Sequence, residues 1–120
     1  MEEPAVSDNQ ETLDRIREVV TTHPVVLFMK GSPTFPQCGF SAQAVQVLEG
    51  YGIEFKAVDV LSDPLVRQGV KEYSNWPTVP QLYVGGEFVG GSDILVEMHQ
   101  SGELAPLLQK AGVGQPEADR

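Results

Sequence analysis

The chain has 120 residues, which suffices for one small α/β domain with its own hydrophobic core and argues against a second domain. Eight Lys and Arg against 17 Asp and Glu give a net charge of −9, which argues against the clustered cations that a nucleic-acid surface needs. A single cysteine excludes an intramolecular disulfide, and with it a small secreted domain stapled by disulfides.

The first predicted element is a helix that ends at about Thr22, before His23-Pro24. Asp8, three residues before Glu11, resembles a capping box. The apolar positions that recur at helical spacing are Leu13, Ile16, Val19 and Val20. We expect flexible, acidic residues 1–10 and a flexible segment 111–120 on either side of a domain over residues 11–110.

The next apolar run predicts a central strand. Val25–Met29 is uninterrupted and rich in β-branched residues, as in strands that are covered on both faces. Residues 31–37 contain too many Gly and Pro for a helix or strand. Helical spacing of apolar residues then predicts a helix from about Cys38 to Gly50, so that the cysteine lies at a helix N-terminus.

A second strand and helix follow. Ile53, Phe55 and Ala57 alternate with charged residues, which predicts a strand. Ser62-Asp63-Pro64 supplies a cap and a first-turn proline for a helix that ends near Tyr73.

The last predicted elements are a hairpin and a helix. Gly85-Gly86 is a strong turn signal between strands 81–84 and 87–89. Ser92 or Asp93 is predicted to cap a final helix that Gly102 interrupts. This order predicts a four-stranded mixed sheet flanked by helices, the thioredoxin-like arrangement, with its active end where the first strand stops.

Cys38 is the candidate reactive residue. A thiol at a helix N-terminus faces unpaired N–H groups and the positive end of the helix dipole, which lower its pKa, and Lys30 would lower it further. The alternative is an inert, buried thiol. Ser41 stands where a dithiol oxidoreductase has its second cysteine, so the chain has no resolving thiol of its own.

Two chemistries remain open for such a thiolate: exchange with an external thiol such as glutathione, and metal ligation with ligands supplied from outside. An iron–sulfur cluster usually takes four sulfur ligands, so two chains would contribute two and external thiols the other two. A zinc site within one chain is disfavoured, because His23 and His99 are far apart in sequence and only Cys38 could join them.

Three separate motifs carry a resemblance to a known family. They are Lys30-Gly31 with Pro36-Gln37-Cys38-Gly39-Phe40-Ser41, then Ser74-Asn75-Trp76-Pro77-Thr78-Val79-Pro80-Gln81, and finally Gly90-Gly91-Ser92-Asp93. In their order and spacing they resemble the monothiol glutaredoxins of the Cys-Gly-Phe-Ser type. The resemblance covers roughly residues 10–110 and implies a glutaredoxin fold with glutathione bound beside Cys38.

The resemblance also implies which residues hold glutathione. Lys30 would approach the thiolates, and Arg67 and Lys71, four apart on one helix, would pair with the glycine carboxylate. Val79, in a cis-proline turn with Pro80, would pair through its backbone with the cysteinyl part. A solvated helix face is the alternative for Arg67 and Lys71, and a rigid loop is a compatible alternative for the turn.

The other end of glutathione would lie at the start of the last helix. The N–H groups of Ser92 and Asp93 would bind the γ-glutamyl carboxylate, and the Asp93 side chain its ammonium group. Simple N-capping is an alternative that can coexist with this role. Gly90 and Gly91 would let the backbone approach the ligand. Many relatives carry a second cysteine where Ser92 stands, so an oxidative disulfide between the two cysteines is absent here.

By resemblance, the leading hypothesis is a carrier of a 2Fe-2S cluster. Two chains, monomeric without the cluster, would form a homodimer in which each contributes Cys38 and one glutathione. Scaffolds, iron–sulfur apo-proteins and BolA-like proteins would be its partners. The alternatives are a glutathione-dependent disulfide oxidoreductase that uses the same pocket, and an adaptor that binds partners through its acidic surface.

No apolar run reaches the roughly 18 to 20 residues of a membrane span, and Met1-Glu2-Glu3-Pro4 lacks the basic and apolar regions of a signal peptide. We therefore expect a protein of the cytoplasm without a membrane segment. A mature form in the mitochondrial matrix or a plastid is the alternative.

Overall fold

The computed structural model describes residues 3–113, and residues 3–8 are described by their backbone alone. The helices are α1 (Glu3–Thr22), α2 (Gly39–Glu49), α3 (Pro64–Ser74), α4 (Ser92–Ser101) and α5 (Leu104–Lys110), and the strands are β1 (Val25–Met29), β2 (Lys56–Asp59), β3 (Gln81–Val84) and β4 (Glu87–Gly90). A short 3-10 turn, Val60–Ser62, joins β2 to α3. Within this part of the chain, no helix is long and apolar enough to cross a membrane.

The strands form one sheet in the order β2-β1-β3-β4, which confirms the predicted four-stranded mixed sheet of the thioredoxin-like fold. β1 is parallel to β2 and antiparallel to β3, and β3 is antiparallel to β4. The carboxyl ends of β1, β2 and β4 and the start of β3 therefore lie at one edge of the sheet. The segments that follow β1, β2 and β4 and the loop that precedes β3 converge there.

The hydrophobic core has one half on each face of the sheet. Successive side chains of a strand point to opposite faces, so Val25, Leu27 and Met29 enter one half and Val26 and Phe28 the other. The first half includes buried residues of α2, α4 and α5, and the second includes residues of α1 and α3. With both faces covered, every residue of β1 is buried, as its composition predicted.

The first helix begins earlier than its capping pattern predicted. α1 starts at Glu3, so Asp8 and Glu11 lie inside the helix. Pro4 falls in the first turn, where a missing N–H breaks no helical hydrogen bond. The flexibility expected of residues 1–10 and 111–120 stays a prediction, and residues 1, 2 and 114–120 lie outside the described part of the chain.

The second strand is shorter than the alternation predicted. β2 starts at Lys56, because its pairing with β1 begins only where Lys56 lies opposite Val26. Ile53 and Phe55 precede the strand, yet both pack against the core. The alternation thus identified inward-facing residues correctly but not the first residue of the ladder.

The helix caps agree with the sequence in α3 and differ in α4. The Asp63 side chain accepts a hydrogen bond from the Leu65 N–H at 3.0 Å, which confirms it as the cap before Pro64. The cap of α4 is Gly91, not Ser92 or Asp93, and no side-chain capping bond forms. Ser92 is unavailable as a cap because its hydroxyl bonds to another helix.

Candidate functional site

A groove of about 450 Å³ lies at the sheet edge where the loops converge. Every candidate residue named from the sequence lines it, namely Lys30, Cys38, Arg67, Lys71, Val79, Ser92 and Asp93. The rest of its wall consists of Phe40, Trp76, Pro77, Thr78, Pro80, Gly91 and Ile94. The fold thus brings the candidates together, and their individual roles stay predictions.

Cys38 lies directly before α2 as its N-cap residue, in extended backbone conformation. Its side chain is partly buried. The backbone N–H of Ser41 has the largest influence on the thiol and lowers its pKa. Burial opposes this, and the Phe40 N–H, the Lys30 charge and the Ser41 hydroxyl lower the pKa further. The thiol therefore ionises more readily than an ordinary cysteine.

The loop before Cys38 is held at both ends. Gly31 has φ +90°, and a side chain there would meet the Phe35 carbonyl oxygen at 2.5 Å. The Gly31 N–H donates to Asp59 Oδ1 at 2.9 Å, and the Gln37 N–H donates to the Lys30 carbonyl at 2.8 Å. This tight loop places Cys38 beside the end of β1.

Ser41 has a structural role that the sequence did not reveal. Its side chain is fully buried, and its hydroxyl accepts a hydrogen bond from the Lys30 N–H at 3.0 Å. The bond ties the end of β1 to the first turn of α2. The residue that cannot resolve a disulfide therefore helps to hold the thiol in place.

One side of the groove is cationic. Lys30, Arg67 and Lys71 are three of the eight Lys and Arg of a chain with net charge −9. The ion pairs between described residues join Arg15 and Arg17 to acidic residues of α1. None of them includes one of the three groove cations. The groove therefore offers unpaired positive charge to an anionic ligand.

The start of α4 closes the opposite side. The buried Ser92 hydroxyl donates to Gln43 Oε1 of α2 at 2.6 Å. Gly90 has φ +153°, and an added Cβ would lie 2.7 Å from Ile94 Cβ, so packing against α4 requires a glycine here. Gly91 lines the groove itself, and Asp93 adds a carboxylate to the first turn of α4.

The loop between α3 and β3 forms a third wall. The peptide bond between Val79 and Pro80 is cis, as the motif predicted. Trp76 contacts the Phe88 ring at a centroid distance of 5.8 Å and also lines the groove. Gln81 holds this loop through its buried side chain, a role the sequence reasoning missed. In the sequence, this role was indicated by the polar Gln81 at the start of an otherwise apolar predicted strand.

The described residues contain no group of three or more His, Cys, Asp or Glu that could hold a metal ion. Cys38 fits a cluster as one thiolate ligand, because it is partly exposed and its pKa is lowered. Further sulfur ligands would have to come from outside the chain.

Comparison with known proteins finds relatives that are glutaredoxins. A family model described as Glutaredoxin matches residues 25–89. The chain is 57% identical over 103 residues to "Uncharacterized monothiol glutaredoxin ycf64-like" of Synechocystis, a match that covers 86% of this chain and 96% of that protein. It is 50% identical over 99 residues to Glutaredoxin 4 of Escherichia coli K12, covering 82% and 86% of the two chains. The solution structure of reduced poplar apo GrxS14 is 55% identical, with a TM-score of 0.73 over 82% of this chain and 90% of that one.

Proposed function

We propose that the chain, which belongs to the monothiol glutaredoxin family, binds glutathione in the groove. The thiol of glutathione and the thiol of Cys38 would together hold a 2Fe-2S cluster that the protein carries. The observation that supports this most directly is one activated, partly exposed thiol in a groove whose cations form no ion pair with another described residue. Glutathione would bring its glycine carboxylate to Arg67 and Lys71 and its thiol to Cys38. The groove thus matches the charge and the chemistry of the ligand.

Ligand counting extends the proposal to a dimer. Two Cys38 thiolates and two glutathione thiolates make up the four sulfur ligands of a 2Fe-2S cluster. The cluster then bridges two chains, and the chain without cluster is monomeric. Half of the ligands are held only by salt bridges and hydrogen bonds, so they can leave when an acceptor's cysteines arrive.

The proposed recipients are iron–sulfur apo-proteins, with scaffold proteins as donors and BolA-like proteins as further partners. The proposed compartment is the cytoplasm, with a mitochondrial matrix or plastid form as the alternative, because a free, reactive cysteine persists where thiols are kept reduced. The proposal includes no nucleic-acid or membrane partner.

The lowered pKa of Cys38 also favours a second function, reduction of glutathione mixed disulfides. The Cys38 thiolate would attack the glutathione sulfur, and the substrate's thiolate would leave and take up a proton. A second glutathione thiolate would then attack the glutathione sulfur bound to Cys38. Oxidised glutathione would be released and the Cys38 thiolate restored.

Anaerobic reconstitution with iron, sulfide and glutathione separates the two functions. Visible absorption reports the cluster, and size-exclusion chromatography reports the dimer. Wild type is compared with Cys38→Ser, and glutathione with S-methylglutathione, which keeps both carboxylates but has no thiol to ligate iron. Ser101→Ala, at the exposed end of α4 and outside the groove, is the control for a change that removes no ligand.

The carrier function predicts a coloured dimer that needs both Cys38 and the glutathione thiol and that passes its cluster to an apo-ferredoxin. A colourless monomer that rapidly reduces glutathionylated peptide would contradict it and support the oxidoreductase. Partner binding that survives Cys38→Ser without cluster or redox activity would instead support the adaptor.

A further inference from the structure

Gln81 is a buried polar residue beside the groove but not among the residues that line it. It is the first residue of β3, and its side chain is fully buried. Burial of an amide without hydrogen-bond partners is costly, so the partners of such a residue are informative.

Each partner of the Gln81 amide can be identified. Its Nε2 donates to the Trp76 carbonyl at 3.2 Å and to the Thr78 carbonyl at 3.0 Å, which uses both N–H bonds. Its Oε1 accepts a hydrogen bond from the Tyr83 hydroxyl at 3.3 Å. Rotating the amide by half a turn would aim its oxygen at two carbonyl oxygens, so only one orientation is favourable.

Tyr83 makes this arrangement rigid. Its ring is buried and contacts the rings of Phe28, Tyr73 and Phe88 at centroid distances of 5.6, 5.9 and 5.5 Å. The hydroxyl that orients the Gln81 amide therefore has a fixed position. A chain of contacts runs from the aromatic core to the loop at the groove.

The loop that accepts the Gln81 hydrogen bonds forms few hydrogen bonds within its own backbone. Residues 76–79 lie between α3 and β3 outside regular secondary structure, and Pro77 and Pro80 have no N–H. Among the hydrogen bonds between described residues, none uses the N–H or carbonyl of Val79. The Gln81 side chain thus supplies donors that a neighbouring strand would otherwise supply.

We infer that Gln81 is a positioning residue for glutathione binding: it fixes the 76–79 backbone so that Val79 can pair with the cysteinyl part of glutathione. The inference rests on the proposed function, because it presupposes that glutathione occupies the groove. Gln81 itself need not touch the ligand.

The test measures affinity for reduced glutathione by calorimetry on the whole chain without cluster. Gln81→Met keeps the length of the side chain and removes all three hydrogen bonds, and it should weaken binding about tenfold. Leu108→Ala, in the core of α5, is the control for a general loss of stability and should keep the affinity within about twofold. The pH profile of Cys38 alkylation without glutathione should not change in Gln81→Met.

Gln81→Glu adds a readout that a general loss of packing would not move. Its carboxylate would face the two carbonyl oxygens and weaken binding, but a protonated carboxyl regains one donor. Glutathione affinity of Gln81→Glu should therefore recover, relative to wild type, as pH falls. If Gln81→Met fails to fold, Tyr83→Phe removes only the orienting hydroxyl and should weaken binding about threefold.

Affinity of Gln81→Met within about twofold of wild type, or an equal loss in Leu108→Ala, would overturn the inference while wild-type binding still supports the glutathione site. Unchanged affinity in Tyr83→Phe would overturn it where that variant replaces Gln81→Met. Absence of glutathione binding by wild type would contradict the proposed function, and the inference with it.

Discussion

At the residue scale, the properties of Cys38 come from neighbours within three residues and from one distant cation. The N–H groups of Phe40 and Ser41 belong to the first turn of α2, so the chain itself supplies them wherever a helix starts at this cysteine. Lys30 arrives because β1 ends beside that helix. The local part of this environment was predictable, and the buried Ser41 hydroxyl was not.

The lowered pKa of Cys38 makes the stability of the fold depend on pH. The native state releases its thiol proton at lower pH than the unfolded state, so this contribution is fully present above the unfolded pKa and is lost as pH falls through the native pKa. Urea unfolding at a series of pH values should show wild type gaining stability relative to Cys38→Ser as pH rises through that window. Equal pH dependence of the two proteins would contradict the prediction.

Lys30 should account for part of the reactivity of the thiol. Lys30→Gln removes the cation that favours the thiolate, so the midpoint of the iodoacetamide alkylation rate against pH should move to higher pH. Lys56→Gln, an exposed cation of β2 outside the groove, is the control and should leave the midpoint in place. A shift of the same size in both variants would point to net charge instead of position.

Arg67 and Lys71 should recognise one particular group of glutathione. Each change to Gln should weaken glutathione binding by about three- to tenfold, because it removes a cation proposed to meet the glycine carboxylate. Glutathione whose glycine carboxyl is converted to an amide lacks that charge, so its affinity should change little in the same variants. Calorimetry with both ligands, and with Lys110→Gln as the control, tests this. Equal losses for the two ligands would place the cations elsewhere on the ligand.

At the element scale, the position of α3 decides whether Arg67 and Lys71 reach the groove. α3 packs on α1 through Gly69, where an added Cβ would lie 2.8 Å from Thr12 Cγ2 and 3.2 Å from Ile16 Cδ1. The close contact explains a glycine in the middle of a helix, where alanine is otherwise preferred. The sequence predicted the helix and its Asp63 cap, but a glycine alone does not reveal the helix against which it packs.

Gly69→Ala should lower the free energy of unfolding by about 1–3 kcal/mol, because the extra methyl overpacks the contact between α1 and α3. In an open helix the same change would stabilise by about 1 kcal/mol. Gly39→Ala, at the start of α2 with open space around its Cα, is the control and should not destabilise. Urea denaturation of the three proteins measures this, and a stabilised Gly69→Ala would show that the two helices can separate without cost.

At the scale of the whole molecule, the cations of the groove contrast in sign with the net charge of the chain. The chain is acidic overall, with net charge −9, while the groove where Cys38 lies is lined by cations that pair with no acidic group among the described residues. An anionic ligand is therefore attracted to one place and repelled elsewhere. The composition revealed only the average. The family resemblance assigned Lys30, Arg67 and Lys71 to one ligand, and in the fold all three line one groove.

Glutathione should stabilise the whole fold, and salt should weaken that effect. At a concentration about 100 times its Kd, a ligand adds about 2.7 kcal/mol to the stability of the native state. The rise in Tm with glutathione should shrink as sodium chloride increases, because salt screens the groove cations. Thermal unfolding without glutathione at each salt concentration is the reference. A rise in Tm that does not depend on salt would contradict electrostatic recognition.

Local signals in the sequence correctly predicted the order of the elements, the central strand, the hairpin and the helix start at Cys38. Each of these features depends on residues close together in the chain, such as Gly85-Gly86 or Asp63-Pro64. Tertiary structure alone decided that β2 starts at Lys56, that Ser92 bonds to Gln43 and does not cap its helix, and that Gln81 holds the groove loop. These features arise from pairing and burial between separate segments, which compete with local preferences and outweigh them.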